Sequence, residues 1–305
     1  MRHRTLFIGT AVLLLAAAVW PLLAQHPAEA AGFEEAEFTW REARDRNMRS
    51  PSSWLTVSGL FWLEEGENTF GSADGNDIRL PLGSAPAFAG VLVRSGRLVT
   101  LIAQDPSSLK VAGKPASRAI LRSDAEGEPD TIEVGNLRLW VIERSGRPAL
   151  RLRDLDSPAF RSYAGLDYFP PDPAFRVEGI LVLYSRPKTV VVPTVVGTEA
   201  EMTSPGAVEF FLDGKAFRLQ AFQEDPDGKR LFFVFSDETS GKETYEASRF
   251  MTAPVLDNGR VDMNFNRATN PPCAYMPFAT CPLPPPENRL PIRIEAGEKK
   301  YPGGH

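Results

Sequence analysis

Histidine is almost missing from this chain. Of three histidines in 305 residues, His3 and His26 fall within the first thirty and His305 is the last residue. The body therefore offers no Ser-His-Asp triad, no Cys-His dyad and no histidine-ligated metal site, unless the terminal His305 is recruited. Cysteine is scarcer still in the whole chain, with two. No Gly-rich phosphate loop, internal repeat or low-complexity tract occurs, and no long helical stripe follows residue 54. Basic charge is also in deficit. Formal net charge is -5, and setting aside Arg2, Arg4 and Glu29 leaves 32 basic against 38 acidic residues, which argues against nucleic acid as a partner.

What is present is ordinary globular composition, 43% hydrophobic and 24% charged, enough for two medium domains. Residues 1–30 read as a secretory signal: a basic start (Met1-Arg2-His3-Arg4), an apolar run over residues 6–24, and Ala28-Glu29-Ala30 as a small-x-small cleavage site. They predict an exported protein, periplasmic or extracellular. The alternative is an uncleaved membrane anchor at residues 6–24, because about 18 apolar residues are enough to span a bilayer. Over residues 31–50, Phe33, Ala36, Trp40 and Ala43 recur at 3-4-3 spacing among charges, predicting an amphipathic helix stopped by Pro51 and packed on the sheet that follows.

From residue 54 onward, short β-branched and aromatic runs alternate with Gly, Pro, Asn and Asp. Strands are expected at 54–63, 91–93, 98–103, 136–142, 179–184, 189–192, 208–212, 215–223, 231–235 and 260–265. The fold class is mainly β. Two β lobes of sandwich or barrel type are expected, at 51–156 and 174–305, joined by an aromatic and proline-rich connection at 157–173. In the first lobe, "TFGSADGNDIRLP", "APAFAG", "VAGK", Leu121, Asp124 and "VGNLRLWVI" follow one another in an order that resembles a forkhead-associated domain. That family's phosphothreonine reading needs cationic and amide donors, whereas here Gly71 is followed by Ser72, no His follows Ser84, and Ala112 precedes Gly113. The resemblance thus implies the sandwich without the phosphopeptide site. Asp74-Gly75-Asn76-Asp77 reads as a turn, or as an oxygen-rich cation loop. Along a strand, Arg151 and Arg153 share one face, Asp154 and Asp156 the other. With Arg161 they form an anion pocket or a charged solvent face.

The stretch "NFNRATNPPCAYMPFATCPLPPPENRLPIRIEAGEKKY", residues 264–301, together with "WLTVSGLFWLEEGENTFGS" and "LFFVFSDETSGKETYEASRFM", resembles domain-of-unknown-function family 1684. The resemblance spans most of the chain beyond residue 30 and implies no established activity. Eight prolines between Pro271 and Pro291 fix φ angles and remove donors, so the stretch is expected as a rigid extended loop laid over the second lobe. Cys273 and Cys281 read as a disulfide, whose short loop would stabilise by about 2–3 kcal/mol. The alternatives are inert buried thiols, or a thiol activated by Arg267 or Arg289.

Around the cysteines, Asn266, Arg267, Asn270, Glu287, Asn288 and Arg289 are the binding candidates, since guanidinium, amide and carboxylate groups orient acids, sugars or phosphates. The same groups also serve to satisfy loop carbonyls. No cofactor motif and no metal set is found. The function expected is a non-catalytic binding or accessory protein whose loop closes a pocket on a small molecule or an envelope component. The alternatives are a histidine-free hydrolase using Glu287 with Asp262 or Asp167, and a purely structural envelope protein.

Overall fold

The chain is described by a computed structural model over residues 27–303, with side chains from Ala31 onward. Of the expected signal at 1–30, residues 1–26 lie outside the described residues, as does the terminal His305, and residues 27–30 belong to the helix that follows. Among the described residues, no helix is long and apolar enough to cross a membrane.

Helix α1 (Pro27–Met48) leads into two β lobes. In lobe 1, one sheet of six strands is ordered β1 (Val57–Trp62), β11 (Arg147–Asp154), β10 (Leu137–Arg144), β9 (Ile132–Val134), β6 (Lys110–Val111) and β7 (Lys114–Pro115). The opposing sheet of five is ordered β3 (Ile78–Arg79), β2 (Gly66–Gly71), β4 (Gly90–Ser95), β5 (Leu98–Ala103) and β8 (Arg118–Leu121). The period-2 pattern decides which residues meet between them. Leu137, Leu139 and Val141 of β10 and Leu150 and Leu152 of β11 face Phe70, Leu92, Val99 and Leu101 of the other sheet in one buried cluster. Their neighbours Arg138, Trp140, Arg151 and Arg153 consequently point away from that core.

A short helix, α2 (Pro158–Arg161), begins the connection to lobe 2. That lobe's sheet is ordered β16 (Arg249–Pro254), β15 (Arg230–Phe235), β14 (Lys215–Gln223), β13 (Glu199–Leu212), β12 (Arg176–Pro193) and β17 (Arg260–Asn264). A bridge from Val255 to Val261 brings its two edges together, so the sheet curls into a near-barrel around Val208, Phe210, Leu219, Phe233, Phe235, Met251 and Phe265. Asp213 and Gly214, at φ of 49° and 70°, make the two-residue turn between β13 and β14, a conformation that Asp-Gly adopts readily. Residues 179–184 and 189–192, expected as separate strands, belong to the single strand β12, whose ladder shifts register between Leu183 and Lys188. At 54–63 the strand begins three residues late, because Trp54–Thr56 is a 3-10 turn capped by the Ser53 hydroxyl.

Of the expected apolar stripe of helix α1, Phe33, Trp40 and Ala43 are half-buried, with Trp40 edge-on to Tyr168 at 6.5 Å and under Arg267, but the most buried face is another one. Its buried positions are Glu37 and Met48, and with Arg41 and Arg44 they form an i, i+4, i+7, i+11 face that is mostly charged. This face packs on the connection and on the C-terminal segment, because its partners there are polar: Arg41 Nη2 donates to Phe169 O at 2.9 Å, and Arg44 Nε donates to Glu298 Oε1 at 2.8 Å.

Residues 265–301 form a strap across both the helix and lobe 2. Three 3-10 turns interrupt it, at Phe265–Arg267, Pro272–Ala274 and Pro286–Asn288. It runs past the end of β12, where Leu283 N–H donates to Pro193 O at 2.8 Å, and past the end of β15, where Leu290 N–H donates to Ser236 O at 2.8 Å. Leu290, Ile294 and Ala296 then plug the near-barrel. The expected extended loop over the second lobe is present, with the added role of joining the lobe to α1.

Candidate functional site

The strap's six polar candidates do not converge. Asn266, fully buried, accepts from Asp172 N–H at 2.9 Å and donates to Asp172 O at 2.8 Å. Asn270 donates to Lys299 O at 2.8 Å. Asn288 accepts from Gln220 N–H at 2.7 Å and donates to Gln220 O and Val234 O. Arg267 pairs with the buried Glu37 carboxylate, Nε to Oε2 at 3.0 Å, while Asn264 donates to the same carboxylate at 2.9 Å. Glu287 and Arg289 are exposed. Asp262 is held by Arg176 through two hydrogen bonds of 2.9 and 2.7 Å.

Three further carboxylates are also committed to ion pairs or caps. Glu298, unexposed, accepts from Arg44, from the Tyr275 hydroxyl at 2.8 Å and from Asn270 N–H at 2.7 Å. Burial opposes the Arg44 charge, but Glu298 and Tyr275 outweigh it and raise its pKa. Asp237 accepts from the buried Arg249 at 2.8 Å and from Thr239 N–H at 2.8 Å. Arg249 also donates to Ile294 O and Ala296 O. In the Asp74–Asp77 loop, Asp77 accepts from Thr69 N–H and Oγ1, and Asn76 donates to Ala73 O and Ala87 O. This is a turn's bonding pattern, and among the described residues no group of three His, Cys, Asp or Glu could hold a metal ion.

A second group of charged and aromatic side chains lies on the outward face of lobe 1, where Arg138 donates to Gly135 O and Leu137 O and pairs with Glu133 at 3.5 Å. Register places Arg151 between Leu60 of β1 and Trp140 of β10, and Arg153 opposite Arg138. Arg153 donates to Pro51 O, Ser53 O and Thr56 Oγ1, at 3.1 to 3.3 Å, and lies over the Trp140 ring at 5.2 Å. Beside it, Trp140, Arg138, Glu133, Glu128, Arg153 and Pro51 line an open groove of about 680 Å³. Arg161 is not part of this group. It pairs with Asp156 at 2.8 Å in a second groove beside Asp154.

Arg151 is the exception on this face, being only 5% exposed and having no hydrogen-bond partner at Nε. It lies over the Trp54 ring at 5.5 Å. Burial pulls its pKa down to about 10, helped by the neighbouring Arg144 charge and opposed by Asp124. Such isolation is uncommon, because a buried guanidinium ordinarily has a carboxylate or several carbonyls around it.

Trp54, over whose ring Arg151 lies, also packs on the buried cluster that holds Cys273 and Cys281. The two cysteines expected as a disulfide are separate thiols here, with Cys273 N–H donating to Cys281 Sγ at 3.3 Å. Cys273 ionises first because the Cys281 thiol donates to it, and a second thiolate beside the first is disfavoured, so Cys281 is raised. The cation near the thiols is therefore Arg151, while Arg267 is spent on Glu37. Sequence reasoning missed Trp54 and Trp140, although the alternation of Leu137, Leu139 and Val141 already sends Trp140 outward.

The family described as protein of unknown function (DUF1684) matches residues 161–299. An uncharacterized protein of Haloarcula marismortui, solved in solution by NMR, is 33% identical over 47% of this chain and 80% of that one, with a TM-score of 0.39. The chain belongs to the DUF1684 family. The matched span takes in the connection, lobe 2 and the strap with both cysteines. The Arg151 face of this family member lies outside it. An FHA domain solved in work on phosphothreonine-dependent interactions is 18% identical over 30% of this chain and 79% of that one, with a TM-score of 0.22. The FhaA FHA domain, solved in a complex, is 17% identical over 30% of this chain and 96% of that one, with the same score. No curated protein matches the chain.

Proposed function

We propose that this protein is an exported binding or accessory protein, and that its ligand is a saccharide-type molecule seated in the Trp140 groove. The basic and apolar start with its Ala-x-Ala site supports export. The observation that carries the binding reading is the groove's composition: an indole platform between two guanidinium and two carboxylate side chains. An indole face packs on the apolar face of a sugar ring, and paired Arg and Glu side chains exchange hydrogen bonds with its hydroxyls. The carboxylates expected for a hydrolase lend that reading no support, since Asp262 is engaged by Arg176 and Glu287 stands exposed on the strap.

Thermal shift of the chain against a panel of envelope glycans tests the proposal. The expected result is a shift with at least one glycan class, reduced about tenfold or more in apparent affinity by Trp140→Ala, with the unliganded melting temperature little changed. Equal shifts in wild type, Trp140→Ala and Arg138→Ala would remove the groove from consideration.

A further inference from the structure

We infer that Cys273 and Cys281 form a binding site for a soft monovalent metal ion, Cu(I) or its redox-inert analogue Ag(I), with the Arg151 guanidinium as its counter-ion.

Three observations meet at this place. The first is a preformed sulfur pair. The 3-10 turn Pro272–Ala274 and the prolines at 277 and 282 set the chain between the two cysteines, and the result holds Cys273 N–H against Cys281 Sγ. Both thiols are buried in one cluster with Met276, whose sulfur accepts from Phe278 N–H at 3.1 Å. The Tyr245 hydroxyl fixes the loop from outside by donating to Cys273 O at 3.2 Å. Thiolate and thioether donors select soft ions, and two-thiolate coordination suits Cu(I).

The second is the isolated charge. Arg151 has no ion-pair partner among the described residues, and its Nε is buried and unbonded. Asp124, the carboxylate nearest in effect, is already bound by Arg144 at 2.8 Å, and Arg144 itself reaches the cysteine loop through Thr280 Oγ1 at 3.3 Å. A cation in that position calls for a net negative charge beside it.

The third is charge balance. When one Cu(I) ion replaces the two S–H protons, two protons leave to solvent and a bis-thiolate complex of net charge -1 remains, which the +1 of Arg151 neutralises. No electrons are transferred. A disulfide at the same place is neutral and leaves Arg151 uncompensated. Zn(II) with two thiolates is also neutral, and it wants four nitrogen or sulfur ligands where histidine is lacking.

The test uses the full chain, reduced and metal-free, titrated anaerobically with Cu(I) against a chromogenic Cu(I) chelator, and in parallel with Ag(I) by thermal shift. We expect one equivalent per chain with two sulfurs in the first shell by X-ray absorption, no competition from Zn(II), and loss of uptake in Cys281→Ser and Cys273→Ser. Arg151→Met should weaken binding about 10–100-fold, as loss of an outer-shell partner does, and Arg151→Lys should restore most of it. Absence of uptake by the reduced chain, or uptake retained in a cysteine variant, would overturn the site. Arg151→Met binding as tightly as wild type, or Zn(II) competing equally, would overturn the counter-ion assignment. Should Cys281→Ser fail to fold, sulfur coordination in the wild-type spectrum decides alone: fewer than two sulfurs refutes the inference.

Discussion

Replacing Arg151 by methionine should stabilise the reduced, metal-free protein, although arginine there touches more atoms. Burial lowers the Arg151 pKa to about 10, well below the ordinary guanidinium range, and at about 1.4 kcal/mol per tenfold change in proton affinity the charged form is disfavoured in the fold by roughly 3 kcal/mol. The sign follows from linkage. For a base whose folded pKa is depressed, both states carry the charge at neutral pH and the fold bears the full penalty, which is relieved only as pH rises through the folded value of about 10. Methionine removes the penalty and keeps an unbranched stem of similar reach. Against this stands the lost contact with the Trp54 ring at 5.5 Å, about 0.5–2 kcal/mol. The net gain is on the order of 1–2 kcal/mol, measured by urea denaturation at pH 7 with reductant and chelator present. A loss exceeding about 1 kcal/mol would mean that the guanidinium has a counter-charge or hydrogen bonds in the free protein, and the reasoning for both the isolated charge and the metal site would fall. With one equivalent of Ag(I) the order should invert, wild type gaining more stability than the variant.

Asn288→Ala leaves the Gln220 N–H, Gln220 O and Val234 O unpaired in the core and should cost about 2–4 kcal/mol, while Glu287→Gln and Arg289→Ala stay within about 0.5 kcal/mol; denaturation curves of the three compare structural and surface positions directly. Glu37→Ala removes the carboxylate shared by Asn264 and Arg267 and should cost about 2–4 kcal/mol, with new proteolytic cutting near α1; an unchanged digest would show that the helix is held elsewhere. Asp45 is held below its ordinary carboxyl range, burial opposing and hydrogen bonds from Arg49 and Tyr163 prevailing. A depressed carboxyl contributes stability that is full above its unfolded pKa and lost as pH falls through the folded one. Wild type should therefore lose stability below about pH 4 more steeply than Asp45→Asn, and parallel acid curves would refute that role.

The β class and most strand positions were legible because the signals are local. Leu137, Leu139 and Val141 alternate within five residues, Asp213-Gly214 marks its own turn, and neither depends on distant sequence. Helix α1 was visible for the same reason, but its spacing did not show that the most buried positions would include Glu37. The apolar stripe of Phe33, Ala36, Trp40 and Ala43 is a local pattern, while the face that docks is chosen by Glu37, Arg41 and Arg44 finding partners at Arg267, Phe169 and Glu298. Nothing in the spacing of charges around α1 tells which of them will be buried.

The strap's polar residues illustrate the same division. Sequence alone could say that Asn266, Arg267, Asn270 and Asn288 would either bind a ligand or satisfy a proline-rich backbone, and only the folded chain assigned them to the second task. What the sequence determined by itself was a set of exclusions and a class: almost no histidine, hence no histidine chemistry in the body, two cysteines close together, and β lobes behind a helix. What only tertiary structure decided was which charge lacks a partner. Arg44 and Glu298 pair across 254 positions, whereas among the described residues Arg151 has no carboxylate within ion-pair distance and lies over the Trp54 ring. Strand alternation is written every two residues, but compensation of charge depends on every group the fold brings within a few ångströms.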